Sequence, residues 1–123
     1  MAVSSDFQTY VLEQLAGLGT VRSKRMFGGV GLYAGDRFFG LIDDNTLYLK
    51  VDATTRDDFL SRGMDPFRPF KDRPEYSMSY YQVPADVLED ADVLAAWAAQ
   101  AVRVATETPA RRIRKSRRKA GAG

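Results

Sequence analysis

Gly28, Gly29 and Gly31 follow a basic cluster of Arg22, Lys24 and Arg25, and the first chemistry such a run suggests is a phosphate cradle. A phosphate loop hands a strand on to a helix N-terminus, whose free N–H groups hold the anion. Here an apolar, alternating segment follows, and neither the dinucleotide fingerprint nor the P-loop spacing is present. The glycines therefore read as a bulge or a close backbone approach within a sheet. As a binding element they would receive a partner's strand or side chain rather than a nucleotide. The three cations read either as charges that keep an edge strand from aggregating or as a dock for an acidic or phosphate-bearing partner. Arg22, Lys24, Arg25, Gly28 and Gly29 are the candidate partner-binding residues.

Carboxylates pair at Asp43-Asp44 and Asp57-Asp58, with Asp90 close to Asp92. A hard cation needs six or more oxygens, and no calcium-loop spacing surrounds these residues, so a turn at 43–45 and helix N-terminal charge elsewhere are the expected roles. No metal site or cofactor is expected. For nucleophilic catalysis Ser77, Ser79, Tyr80 and Tyr81 are the hydroxyls in reach, yet they form neither a Ser-x-x-Lys pattern nor a nucleophile elbow. With no histidine the chain lacks the side chain suited to proton transfer near neutrality. With no cysteine it lacks thiolate chemistry and disulfides. No enzyme is expected.

The remaining chemistry is electrostatic. Residues 1–108 hold 11 Lys and Arg against 16 Asp and Glu, a net −5, whereas 109–123 hold seven basic residues and no acid. Arg111, Arg112, Arg114, Lys115, Arg117, Arg118 and Lys119 are the candidate nucleic-acid-binding residues, which would neutralise phosphates without reading sequence. The tail has no aromatic to stack on bases, and its one branched aliphatic, Ile113, cannot offset the entropy of ordering. The alternative is a solubilising tail with no partner.

The elements that must position these groups follow from periodicity. At 123 residues and 45% hydrophobic content the chain suits one domain, 1–108, with a disordered basic tail, 109–123. It has no secretory pattern and no apolar run of spanning length, so a cytoplasmic location and no membrane partner are expected. Ser5 with Gln8 reads as a capping box for a helix from Asp6 to Ala16, with Phe7, Val11, Leu15 and Leu18 on one face and Gly17 and Gly19 ending it. Strands are expected over Met26 to Tyr33, Arg37 to Ile42 and Thr46 to Val51, with turns at 34–36 and 43–45. In the last of these, Leu47, Leu49 and Val51 share one face, and Tyr48 and Lys50 the other. Asp52 is the expected cap of a short helix carrying Phe59 and Leu60 and stopped by Gly63. Pro66, Pro69 and Pro74 break the chain before a strand from Tyr76 to Val83, which sets Tyr80 and Tyr81 on opposite faces. Asp90 then caps a final helix with an apolar stripe of Leu94, Trp97, Ala98, Ala101, Val102 and Ala105, placed to cover the sheet. The fold class is α+β: a two-layer domain with an antiparallel hairpin meander flanked by N- and C-terminal helices.

Arg25-Met26-Phe27-Gly28-Gly29-Val30-Gly31-Leu32-Tyr33, together with Leu47-Tyr48-Leu49-Lys50-Val51 and Met78-Ser79-Tyr80-Tyr81, resembles the TfoX N-terminal domain family of bacterial competence regulators. The resemblance spans roughly Asp6 to Ala105. It implies a non-catalytic regulatory or adaptor domain, a homodimer, and a protein partner such as a transcription regulator, since full-length members act with the cyclic-AMP receptor protein at promoters. Those members carry a second, C-terminal domain that these 123 residues do not contain, so "TfoX-like" is the name it supports. The competing expectation is a dimeric, chaperone-like protein-binding module with no nucleic-acid role.

Overall fold

The computed structural model describes residues 4–26, 28–69 and 79–107. The expected start of a strand at Tyr76 and the whole basic tail lie outside them.

Helix α1 (Ser5–Gln14) is capped by Ser4, whose hydroxyl accepts the Phe7 N–H at 3.1 Å. The expected capping box of Ser5 and Gln8 does not form: the cap is one residue earlier, its N3 residue is Phe7, and Gln8 donates its side-chain amide to Ser23 Oγ at 3.1 Å. Val11 and Leu15 are fully buried, with Phe7 and Leu18 packed beside them, as the periodicity predicts. A 3-10 turn over Ala16–Leu18 follows the helix.

Among the described residues the sheet has five strands where the sequence reading has four. The segment expected as one strand from Met26 to Tyr33 is the second half of a hairpin: β1 (Arg22–Met26) pairs antiparallel with β2 (Gly29–Ala34). The pair Met26–Gly29 closes a two-residue loop in which Gly28 takes φ +81°, a conformation that a side chain would strain. Then come β3 (Arg37–Asp43), β4 (Thr46–Lys50) and β5 (Tyr80–Gln82), in the order β1-β2-β3-β4-β5, all neighbours antiparallel. Asp44 and Asn45 both have φ +53° in the β3–β4 hairpin, which confirms the turn reading of Asp43-Asp44. A bulge lies where Leu32 pairs with Gly40 but Tyr33 pairs with Phe38, which leaves Phe39 as the extra residue, fully buried.

Asp52 does not cap the next helix directly. Its carboxylate accepts the Thr54 and Thr55 N–H groups at 3.0 and 2.9 Å and the Thr54 hydroxyl at 2.7 Å, shaping the turn that leads into α2 (Arg56–Leu60). Those bonds, the Thr54 hydroxyl first, hold the Asp52 carboxyl below its usual range. Phe59 buries its ring edge-on against Trp97, centroids 4.9 Å apart, while Leu60 stays 48% exposed. Gly63, at φ +74°, ends the segment.

Helix α3 (Ala85–Glu89) follows Pro84 and has no counterpart in the sequence reading. Arg62 bonds both carboxylate oxygens of Asp86, at 3.1 and 2.8 Å, tying the end of α2 to α3. Asp90 caps α4 (Ala91–Glu107) as expected, accepting the Val93 N–H at 3.2 Å. The buried stripe of α4 is Leu94, Ala98, Ala101 and Val104, which lies across β3 and β4. Trp97, Val102 and Ala105 line its border, and Val104 takes the inward place that the sequence reading gave to them. The fold is an α+β two-layer domain: an open antiparallel sheet with N- and C-terminal helices on one face. Val30, Leu32, Phe39, Ile42, Leu47, Leu49 and Val51 meet Val11, Leu15, Leu94 and Ala98 in one core. Among the described residues no helix is long and apolar enough to cross a membrane.

Candidate functional site

Antiparallel partners share a sheet face, so the register assigns every strand side chain to the helix layer or to the face turned away from it. Val30, Leu32, Ile42, Leu47 and Leu49 go to the helices. To the second face go Arg22 with Tyr33, Lys24 with Gly31, Leu41 with Tyr48, and Lys50 with Tyr80. Tyr80 and Tyr81 therefore point to opposite faces, as alternation requires, and Tyr81 packs toward Phe59 at 6.1 Å.

At one end of this second face each strand contributes one residue to a single row: Arg22, Tyr33, Phe38, Lys50 and Tyr80. The Arg22 guanidinium stands 5.7 Å from the Tyr33 centroid. Tyr33 stacks on Phe38 at 5.2 Å and 27°, and Phe38 meets Tyr80 at 5.3 Å. Lys50 Nζ lies 5.0 Å from the centre of the Tyr80 ring. Tyr33, Phe38 and Lys50 are half-buried, and Tyr80 is 4% exposed. Burial pushes the Tyr80 phenol up, with Tyr33 adding to it, and pushes the Lys50 ammonium down. Both Tyr48 and Tyr80 thus hold their protons more firmly than free tyrosine. The Tyr48 phenol is raised first by burial and then by Asp43, Asp44 and Asp65, with Arg68 opposing.

The face is consequently polarised. Its Tyr33 end carries Arg22 and Lys50, the next row runs from Lys24 through Leu41 to Tyr48, and Asp43 and Asp44 lie at the opposite end, at the β3–β4 turn; Asp65 stands beside β5, where its carbonyl accepts the Gln82 N–H, and the Tyr48 and Phe67 rings meet edge-on at 5.1 Å. Flat ring surfaces bordered by cations suit stacking and anion contact. They supply no matched acid and base.

The predicted partner-binding residues all sit at the β1 hairpin, but they do not form one patch. Arg22, Lys24 and Arg25 are exposed; the first two belong to the second face, and Arg25, paired with Val30, to the helix side. Gly28 is exposed in the loop. Gly29 is buried, and a Cβ there would stand 2.5 Å from the Ile42 carbonyl oxygen, so its role is the close approach of β2 to β3. At Gly31 a Cβ would meet Met26 Cε at 2.7 Å, because Met26 lies over it on the second face. The bulge lies at Phe39 on β3, not at the glycines. The predicted nucleic-acid residues Arg111, Arg112, Arg114, Lys115, Arg117, Arg118 and Lys119 lie outside the described residues. Sequence reasoning missed Phe38 and the row it belongs to; the one local signal was the turn at 34–36, whose length aligns Tyr33 with Phe38.

No curated protein aligns with the chain at a significant level. The model of the TfoX N-terminal domain matches residues 13–105, which takes in every strand, α2, α3 and nearly all of α4. With three quarters of its length matched, the chain belongs to the TfoX N-terminal domain family.

Proposed function

We propose that the chain is a non-catalytic regulatory domain. Its β1 edge docks an acidic, extended segment of a protein partner, a transcription regulator being the class the family suggests, and its basic tail adds nonspecific nucleic-acid affinity. The observation that carries this reading is the state of β1. It is the last strand of the sheet and, among the described residues, pairs with β2 alone. An edge strand turns every second N–H and C=O outward, a ready template for one more strand. Arg22 and Lys24 on one side and Arg25 on the other would flank the added strand with positive charge. The ion pairs among the described residues, Arg37–Asp36, Arg62–Asp86 and Arg103–Glu107, involve none of them. The acidic body and the seven cations of 109–123 supply the second half of the reading, a tail that meets phosphates by counterion release. A homodimer, which the family resemblance implies, would present two such edges.

The test uses a fluorescein-labelled peptide of alternating valine and glutamate, with amide exchange followed by mass spectrometry. Binding is expected to slow exchange across residues 22–26, and the double charge reversal Lys24→Glu, Arg25→Glu is expected to weaken it at least tenfold. Protection that falls elsewhere, or binding indifferent to the reversal, would overturn the edge-docking reading.

A further inference from the structure

The second face of the sheet goes beyond edge docking. Tyr33 and Phe38 are two neighbouring, partly exposed rings stacked on one another at 27°, and the aromatic row they begin is bounded by cations, Arg22 over the Tyr33 ring and Lys50 over the Tyr80 ring. Arg22 on β1 and Lys50 on β4 are three strand spacings apart, about 14 Å. Neither has a carboxylate partner among the described residues; Arg22 donates to the Gly35 carbonyl at 2.8 Å. Lys24 extends the positive border along β1.

We propose that this end of the sheet binds single-stranded nucleic acid, stacking one or two bases on Tyr33 and Phe38 and setting the flanking phosphates against Arg22, Lys24 and Lys50. Planar groups and negative charges that alternate along a chain match planar rings and positive charges that alternate along the row. Sheet faces that take single strands elsewhere stack two or three bases on aromatics in this way. A duplex shows only base edges in its grooves and has no free face to stack. An acidic peptide would satisfy the cations but leave the paired rings unused. A second copy laid on this face about a two-fold axis would bring these cations to the carboxylates of its partner, and the oligomeric state is therefore one arm of the test. The polarity also fixes a path: Asp43 and Asp44 at the β3–β4 turn repel phosphate, so the strand lies across the β-strands along the row.

The site is independent of the tail, and the test separates them within the full chain. Anisotropy is measured with fluorescein-labelled ten-nucleotide oligothymidylate and oligouridylate and with a ten-base-pair duplex, for the native chain, Tyr33→Leu and Lys50→Gln. Tyr33→Leu is expected to weaken single-strand binding by roughly 5- to 150-fold, the range for losing one stacking platform, and to leave duplex binding through the tail within twofold. Lys50→Gln is expected to reduce the single-strand salt slope by about 0.7, one phosphate contact. The DNA and RNA probes show which strand is preferred. Equal losses on single strand and duplex overturn the proposal. So does polyglutamate binding that Tyr33→Leu weakens as far as it weakens oligonucleotide binding, which would make this an acidic-peptide site, or a dimer that the same variants dissociate in sedimentation, which would make it an interface between copies. Should Tyr33→Leu lose its cooperative melt, the salt slope of Lys50→Gln decides, and an unchanged slope is a refutation.

Discussion

Replacing Gly29 with alanine, and in parallel Gly31, separates two kinds of crowding that look alike in the sequence. A Cβ at Gly29 would lie 2.5 Å from the Ile42 carbonyl oxygen, a backbone atom held in the β2–β3 ladder. It can be relieved only by moving two central strands apart. Overpacking of that kind costs about 1–3 kcal/mol, and a stretched ladder hydrogen bond adds about 1. Against this stands a gain of about 0.4–1 kcal/mol from the narrower unfolded ensemble that any Gly→Ala change brings. The net expectation is a loss of about 1–3.5 kcal/mol. At Gly31 the contacts are Met26 Cε at 2.7 Å, Phe38 Cε1 at 3.1 Å and Met26 Sδ at 3.2 Å, the free end of a flexible side chain and the rim of a ring. Met26 can swing away, and the same entropic gain then leaves Gly31→Ala within about 1 kcal/mol of the native chain. Urea unfolding of both variants, with m unchanged, reads the difference as a shift in midpoint. Gly29→Ala as stable as the native chain, or Gly31→Ala the worse of the two, would refute the reasoning about which neighbour can yield.

Phe59→Ala removes a side chain 3% exposed that fixes α2 against Trp97 and Tyr81, and about 3–5 kcal/mol of stability should go with it in a urea melt. Ser4→Ala deletes the bond to the Phe7 N–H and should cost about 1 kcal/mol, measured in the same way. The raised phenol of Tyr80 sets a pH dependence. Its neutral form is favoured in the folded state, so its contribution is complete below the unfolded value near 10 and declines as pH rises past it. Tyr80→Phe should therefore match the native chain at pH 7 and lose less stability above pH 10; an alkaline limb of unchanged steepness counts against the burial argument.

The parts of the fold legible in the sequence were those where one face is apolar and the other is not. Leu47, Leu49 and Val51 alternate with Tyr48 and Lys50 and lie as that alternation demands. The α1 stripe and the turn at Asp44-Asn45 were legible for the same local reasons. Strand β1 was not, because Arg22-Ser23-Lys24-Arg25 borders solvent on both faces and carries no apolar period. The five-residue α3 is too short to show a helical period, and its entry at Pro84 reads as a break. The basic cluster was visible as charge, but its division between two faces is a matter of register. So is the row from Arg22 to Tyr80: its members lie up to 58 positions apart, and only the pairing of five strands brings them into line. The buried state of Gly29 depends on β3, which no inspection of residues 25–33 reveals.

Duplex-DNA anisotropy across a salt series, comparing the full chain with a version ending at Thr108, tests most directly the regulatory reading, in which the folded body meets protein and the tail meets nucleic acid. The account predicts that only the full chain binds duplex. Its log affinity should fall by up to about six per decade of salt, as seven phosphate contacts require. Duplex binding by the version ending at Thr108, or none by the full chain at low salt, would contradict it.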